Sequence, residues 1–261
     1  MKTKVFYFSA TGNSLAAARS LASVLNASPP VDMAGALAEG NTRCEEDRVV
    51  LVFPLYYQTY PILVRRFIAA LRHKPGVDLA AVVTRGFNPT RGVLTELAAD
   101  LARSGAKLRY GVYLDMPNND VTVFEPYSAE KTAKLLAAAD TELLRIGAEI
   151  AAGRKRRQLE PLLFIRPFRT KVYRDLASRA HLGFSVTDSC TGCGICAKAC
   201  ALGRIEVIDG KPRWTEGCQL CEACVNLCPS RSIQIQGSGS ERKGRYRHPA
   251  IPMAELVGRK G

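Results

Sequence analysis

Eight of the nine cysteines in this 261-residue chain fall between Cys190 and Cys228, in one pattern written twice. Cys190, Cys193, Cys196 and Cys200 recur, shifted by 28 residues, as Cys218, Cys221, Cys224 and Cys228. The duplication extends beyond the sulfurs: Val186 maps onto Trp214, Asp188 onto Glu216, Ile205 onto Ile233 and Val207 onto Ile235. Each half is a loop of thiols followed by a short alternating strand, with too little apolar surface to fold by itself.

The spacing C-x2-C-x2-C-x3-C is that of bacterial ferredoxins, where the fourth thiolate of one run ligates the cluster of the other. On that pattern one [4Fe-4S] cluster is held by Cys190, Cys193, Cys196 and Cys228, and a second by Cys218, Cys221, Cys224 and Cys200. Gly192 and Gly194 suit a backbone that turns sharply against sulfide. Paired zinc sites are the competing reading, because thiolates also suit zinc. Zinc ribbons, however, pair two C-x2-C hooks and do not need a third and fourth thiol at these spacings. Pro229 follows Cys228 as the pattern expects, whereas Ala201 follows Cys200. Cys44 stands apart beside Glu45, Glu46 and Asp47 and reads as an incidental surface thiol. A disulfide framework would need a secreted context. Val5 to Phe8 is too short for a secretory signal, and no stretch approaches the ~20 apolar residues of a membrane span, so a cytoplasmic protein is expected.

The first 150 residues alternate apolar runs with helical patterns, the signature of an α/β fold whose parallel sheet is covered on both faces. Strands are expected at Val5 to Ser9, near Val31, at Val49 to Phe53, Leu79 to Thr84 and Leu108 to Met116. Helices are expected at Ser14 to Leu25, Ile62 to Leu71, Gly92 to Arg103 and Ala129 to Ala152, from apolar residues three and four apart. The division expected is a sheet domain over 1–152, a basic helical connector over 153–183, the cysteine module over 184–238 and a tail over 239–261. Nearly all of the +13 net charge falls after residue 150. Part of it offsets the clusters, and the remainder favours an acidic partner.

Directly after the first strand comes Ser9-Ala10-Thr11-Gly12-Asn13-Ser14 and then a helix. Such a loop offers hydroxyls and backbone N–H groups where the helix dipole favours an anion, which makes it a phosphate cradle. It has neither the G-x-G-x-x-G of dinucleotide sites nor the Gly-Lys-Ser/Thr of a P-loop, so a monophosphate is the better fit. An N-cap turn and nothing more is the bland alternative. The loop's place argues against that, because open α/β sheets bind ligands at the carboxyl ends of their strands. Pro54, Leu55, Tyr56 and Tyr57 after the third strand, and Arg85, Gly86 and Phe87 after the fourth, collect at the same edge.

S-x-T-G-N-S resembles the FMN phosphate loop of flavodoxins. Residues 1 to about 238 resemble bacterial and archaeal fusions of a flavodoxin-like domain to a dicluster ferredoxin, and Arg245-Tyr246-Arg247-His248-Pro249 resembles a terminal Arg-Tyr-x-x-Pro seen in such fusions. The resemblance implies a flavodoxin-like, doubly wound, five-stranded parallel sheet followed by a small α+β ferredoxin module. It assigns Ser9, Thr11, Gly12, Asn13 and Ser14 to the FMN phosphate, Tyr56 or Tyr57 to one face of the ring and the loop at Gly86 to its edge, with Pro54, Leu55 and Phe87 also in the cofactor site. Two departures stand out: residues 54–60 lack the glycine usual in the second flavodoxin loop, and where flavodoxins are usually acidic this sheet domain is near neutral and its neighbour basic.

The expected function is electron transfer between two [4Fe-4S] clusters and FMN, with an acidic redox protein as partner. The alternative is an FMN-dependent reductase of a small molecule or of a partner's cofactor, with Arg85 and Arg91 steering an anionic substrate. Carrier and oxidoreductase both remain open, as does oligomeric state. Neither reading needs a general acid or nucleophile, since the redox chemistry belongs to the cofactors. Binding of nucleic acid or a membrane surface by Arg154 to Arg157 and the later arginines is not expected, because that stretch lacks interleaved stacking aromatics.

Overall fold

A computed structural model describes residues 1–86, 92–157 and 166–258, apart from the side chains of 157, 166, 167 and 169. The chain opens with β1 (Thr3–Tyr7), α1 (Asn13–Val24), β2 (Val31–Asp32), α2 (Met33–Ala38) and β3 (Arg48–Pro54). It continues with α3 (Ile62–Ala70), β4 (Asp78–Arg85), α4 (Val93–Ala102), β5 (Leu108–Asp115), α5 (Ala129–Ala151) and β6 (Arg156–Arg157). These strands form one sheet in the order β2-β1-β3-β4-β5-β6, each pair parallel. The order 2-1-3-4-5 is that of the flavodoxin-like fold, with its switch point between β1 and β3. The five expected strands are present. The sixth, at the outer edge, comes from the start of the stretch read as a connector.

Strand alternation divides the apolar residues between two layers. Phe6, Phe8, Leu51 and Phe53 face α3 and α4, while Val5, Tyr7, Val50 and Val52 face α1 and α5. Gly147 lets α5 come close to α1, for a Cβ there would lie 2.5 Å from Val24 Cγ1. Among the described residues no helix is long and apolar enough to cross a membrane.

Next come α6 (Arg166–Arg179), β7 (Phe184–Val186), α7 (Ile195–Ala199), β8 (Ile205–Ile208), β9 (Lys211–Trp214), α8 (Ala223–Asn226) and β10 (Ile233–Ile235). β7 pairs antiparallel with β10, and β8 with β9. The repeat is visible in the register, where Val186 sits opposite Ile233 and Trp214 opposite Ile205. Val121, Cys196, Ile205, Cys224, Val225, Cys228 and Ile233 form a small core. Other apolar residues of the module leave it: Ala201 and Leu202 join the α3/α4 layer, and Ala199, Ala223 and Leu227 the α1/α5 layer. Helix α6 is not a solvated connector either, since Tyr173 and Ala177 are buried in the α3/α4 core.

Cys44 corrects the sequence reading. It is 1% exposed and packs in the α3/α4 core, because Arg43–Cys44 pairs with Arg72–His73 and draws it in. Its Sγ donates to Glu46 Oε2 at 3.0 Å, and burial, then that bond, pushes the thiol up to about 12.

Candidate functional site

The loop between β1 and α1 forms the floor of a cleft at the carboxyl ends of the strands. Gly12 takes φ +108° and makes no side-chain cap for α1, so the helix presents its first N–H groups to the cleft without a competing carboxylate. The loop polar groups hold one another in place. Ser9 Oγ accepts from Gly12 N at 3.1 Å, Ser14 Oγ meets Thr84 Oγ1 at 2.7 Å, and Thr11 Oγ1 accepts from Asn119 Nδ2 at 3.0 Å. Asn13 donates to the Pro117 carbonyl at 2.9 Å and accepts from Tyr246 Oη at 2.7 Å. Its amide is therefore spent on positioning.

One wall is Pro54 to Gln58. Tyr56 and Thr59 exchange two backbone hydrogen bonds at 2.9 and 2.8 Å around Tyr57 and Gln58, whose φ angles are +47° and +61°. The missing second-loop glycine is thus no bar to a turn with two left-handed residues, although side chains there carry strain. Tyr56 is buried edge-on to Phe8, whereas Tyr57 stacks on Tyr173 at 5.7 Å and 21°. Burial and the nearby Asp120 and Glu222 charges push the Tyr57 phenol up to about 12. Across the cleft, Gly86 is needed sterically, since a Cβ would lie 2.8 Å from Asn118 Cα. Phe87 and Arg91 lie outside the described residues. Arg85 lines the cleft, paired with Asp115 at 2.6 Å and lying over the Tyr113 ring.

Met116 to Asp120 complete the cleft, and so do Leu220, Cys221 and Glu222 of the cysteine module. Sequence reasoning did not identify either group as part of it. Glu222 Oε2 accepts from Val121 N at 2.7 Å, and burial, then the Asp120 charge, pushes this carboxyl well above the usual range.

The eight sulfurs line two further cavities. Cys200, Cys218, Cys221 and Cys224 line one, and Cys190, Cys193, Cys196 and Cys228 the other, so each takes its fourth thiol from the opposite repeat. Four sulfurs around one space suit a group that takes its ligands at separate corners.

The first of these cavities also has donors in need of an acceptor. Arg204 Nε is buried without a hydrogen-bond partner, the Cys224 thiol is the one group that Trp214 Nε1 has to bond, and both side chains line the cavity. Trp214 is stacked on Phe184 at 4.9 Å and 12°. Two backbone donors already serve the same cysteines: Arg204 N reaches Cys200 Sγ at 3.1 Å and Leu220 N reaches Cys218 Sγ at 3.5 Å. Burial pushes the Cys196 and Cys218 thiols up to about 11 and raises Cys221 and Cys224 as well. Burial also acts upward on Cys228, but the Ser232 and Ser230 hydroxyls outweigh it and bring that thiol down. The set must release protons to bind a soft metal centre.

No protein-family model and no curated protein matches the chain. Among solved structures, it is similar to a flavodoxin from the domain Archaea, at 16% identity over 59% of this chain and 98% of that one (TM-score 0.40). It is similar also to an NADH:FMN oxidoreductase, EmoB, at 14% over 60% and 91% (TM-score 0.42). An azoreductase of Bacillus anthracis Sterne aligns at 13% over 57% and 100% (TM-score 0.39).

Proposed function

We propose that the chain is an electron-transfer iron–sulfur flavoprotein that relays electrons between two [4Fe-4S] clusters and one FMN. One observation carries this reading: Cys221 lines both the phosphate-loop cleft and a four-cysteine cavity. A ring in the cleft and a cluster on Cys221 would be separated by little more than one side chain. When bound, FMN exchanges one or two electrons and each cluster exchanges one, so the pair converts between the two stoichiometries.

The chain's own groups do the holding. The N–H groups at the start of α1 would take the phosphate, with the Ser9, Thr11 and Ser14 hydroxyls around it. Tyr57, with one face already on Tyr173, would offer its other face to the ring. Cys190, Cys193, Cys196 and Cys228 would hold one cluster, and Cys218, Cys221, Cys224 and Cys200 the other. Of the two arginines named for the reductase reading, Arg85 is engaged with Asp115, and Arg91 lies outside the described residues. The basic C-terminal half supports an acidic redox protein as partner.

Anaerobic purification followed by iron, sulfide and flavin analysis tests the assignment. About eight iron atoms and one FMN per chain are expected, from two four-iron sites and one phosphate loop. Abundant zinc with little iron would remove the cluster reading, and iron without flavin the other half.

A further inference from the structure

The segment after the cysteine module reaches back to the phosphate loop. Arg245 anchors its start, donating from Nε to the Val225 carbonyl at 3.1 Å and from Nη2 to that of Ile233 at 3.3 Å. The next residue, Tyr246, donates its backbone N–H to Asn226 Oδ1 at 3.0 Å and its hydroxyl to Asn13 Oδ1 at 2.7 Å. Two residues on, His248 N donates to the Thr11 carbonyl at 2.8 Å. The loop is shaped to receive this segment: a Cβ on Gly12 would lie 2.7 Å from His248 Cβ and 3.2 Å from Ile251 Cβ. Ile251 is buried in the α1 layer, and Glu255 pairs with Arg19 on α1 itself.

A second arm leaves the same asparagine. Asn226 Nδ2 donates to the Asn119 carbonyl at 3.0 Å, and Asn119 Nδ2 donates to Thr11 Oγ1 at 3.0 Å. Both polar side chains at the tip of the loop, Thr11 and Asn13, are therefore held by arms that meet at Asn226, which lies between Cys224 and Cys228.

We infer that Tyr246 is a positioning residue for the phosphate site: it fixes Asn13, and with it the first N–H groups of α1, in the anion-binding arrangement. The C-terminal segment is then a working part of the flavin site, and phosphate affinity depends on a residue well over two hundred positions away in sequence. This rests on the FMN assignment above. Such an effect falls on the phosphate and spares the ring, so FMN and riboflavin, which lacks the phosphate, should respond differently.

The test is a titration of FMN and of riboflavin into the cluster-loaded, flavin-free full chain. Tyr246→Phe removes one hydroxyl and should weaken FMN about tenfold, the size of one hydrogen bond to a part-buried acceptor, with riboflavin affinity and iron content unchanged. Asn13→Ala removes the same bond from the other side, and Tyr246→Phe added to it should have no further effect. Equal losses for FMN and riboflavin, no loss for either, or additive losses in the double variant would each overturn the inference. If Tyr246→Phe loses its iron, Asn13→Ala alone decides between a phosphate-specific and a general loss. A wild-type chain that binds neither flavin would overturn the FMN assignment instead.

Discussion

Arg204 brings an unmatched buried donor to one cysteine cavity and Trp214 a donor with only the Cys224 sulfur to bond, a costly arrangement unless something in that cavity accepts. Cysteinyl and inorganic sulfur are acceptors, and donors aimed at them stabilise the reduced, more negative cluster. Trp214→Phe keeps the stack on Phe184 and loses the N–H. In the loaded protein, potentiometry followed by electron paramagnetic resonance should find one centre moved to lower potential and the other, held by Cys190, Cys193, Cys196 and Cys228, unmoved. Equal movement of both, or of neither, would count against the donor role. Cys44 gives a second prediction. Its thiol is raised by burial from about 9 to about 12, so the folded chain holds a proton that the unfolded chain releases first. The stabilisation is complete below pH 9 and fades as pH climbs toward 12. The stability difference between wild type and Cys44→Ala should therefore be smaller at pH 10 than at pH 8 in urea unfolding. A constant difference would show that the thiol does not titrate as its burial requires.

Elements were legible wherever their cause was local. The apolar runs behind β1, β3, β4 and β5 and the three- and four-residue spacing of α1, α3, α4 and α5 lie in consecutive residues, and the structure follows them to within a residue or two at most ends. Elements decided by distant partners were not legible. β6 is two basic residues with no apolar pattern, and it exists because Tyr110 and Gly111 on β5 pair with it. Helix α6 looked like a solvated basic stretch, yet Tyr173 enters the core and donates to the Gln219 carbonyl at 2.8 Å, just before the leucine that leads to Cys221. Thr170 on the same helix donates to buried Glu96 at 3.0 Å, and Glu96 is held from α3 by Arg65 at 2.9 Å. One carboxylate on α4 thus ties α3 and α6 together. No sequence signal marked it, because a buried glutamate four residues into a helix is indistinguishable from an exposed one until its partners are known.

At the scale of the whole molecule the same division holds. The cysteine positions follow from a repeat readable within forty residues, whereas the joining of module to cleft rests on Asn119 and Asn226, which carry no motif, and on Tyr246, whose Arg-Tyr-x-x-Pro motif does not say what it touches. That joining has a thermodynamic consequence. Ala201 and Leu202 lie in one core of the sheet domain, Ala199, Ala223 and Leu227 in the other, and Val121 of the sheet domain lies in the module's small core. Each part completes the other's apolar burial, so neither can open without exposing the partner. The loaded full chain should then unfold in one transition, with far-ultraviolet circular dichroism of the helices and visible absorbance of the clusters lost at the same denaturant concentration. Residues 184–258 expressed alone should retain well under eight iron atoms, because the module would be deprived of the cores that hold Leu202 and Leu227. Two separated transitions, or a fully loaded fragment, would mean that the two parts are neighbours and not one cooperative unit.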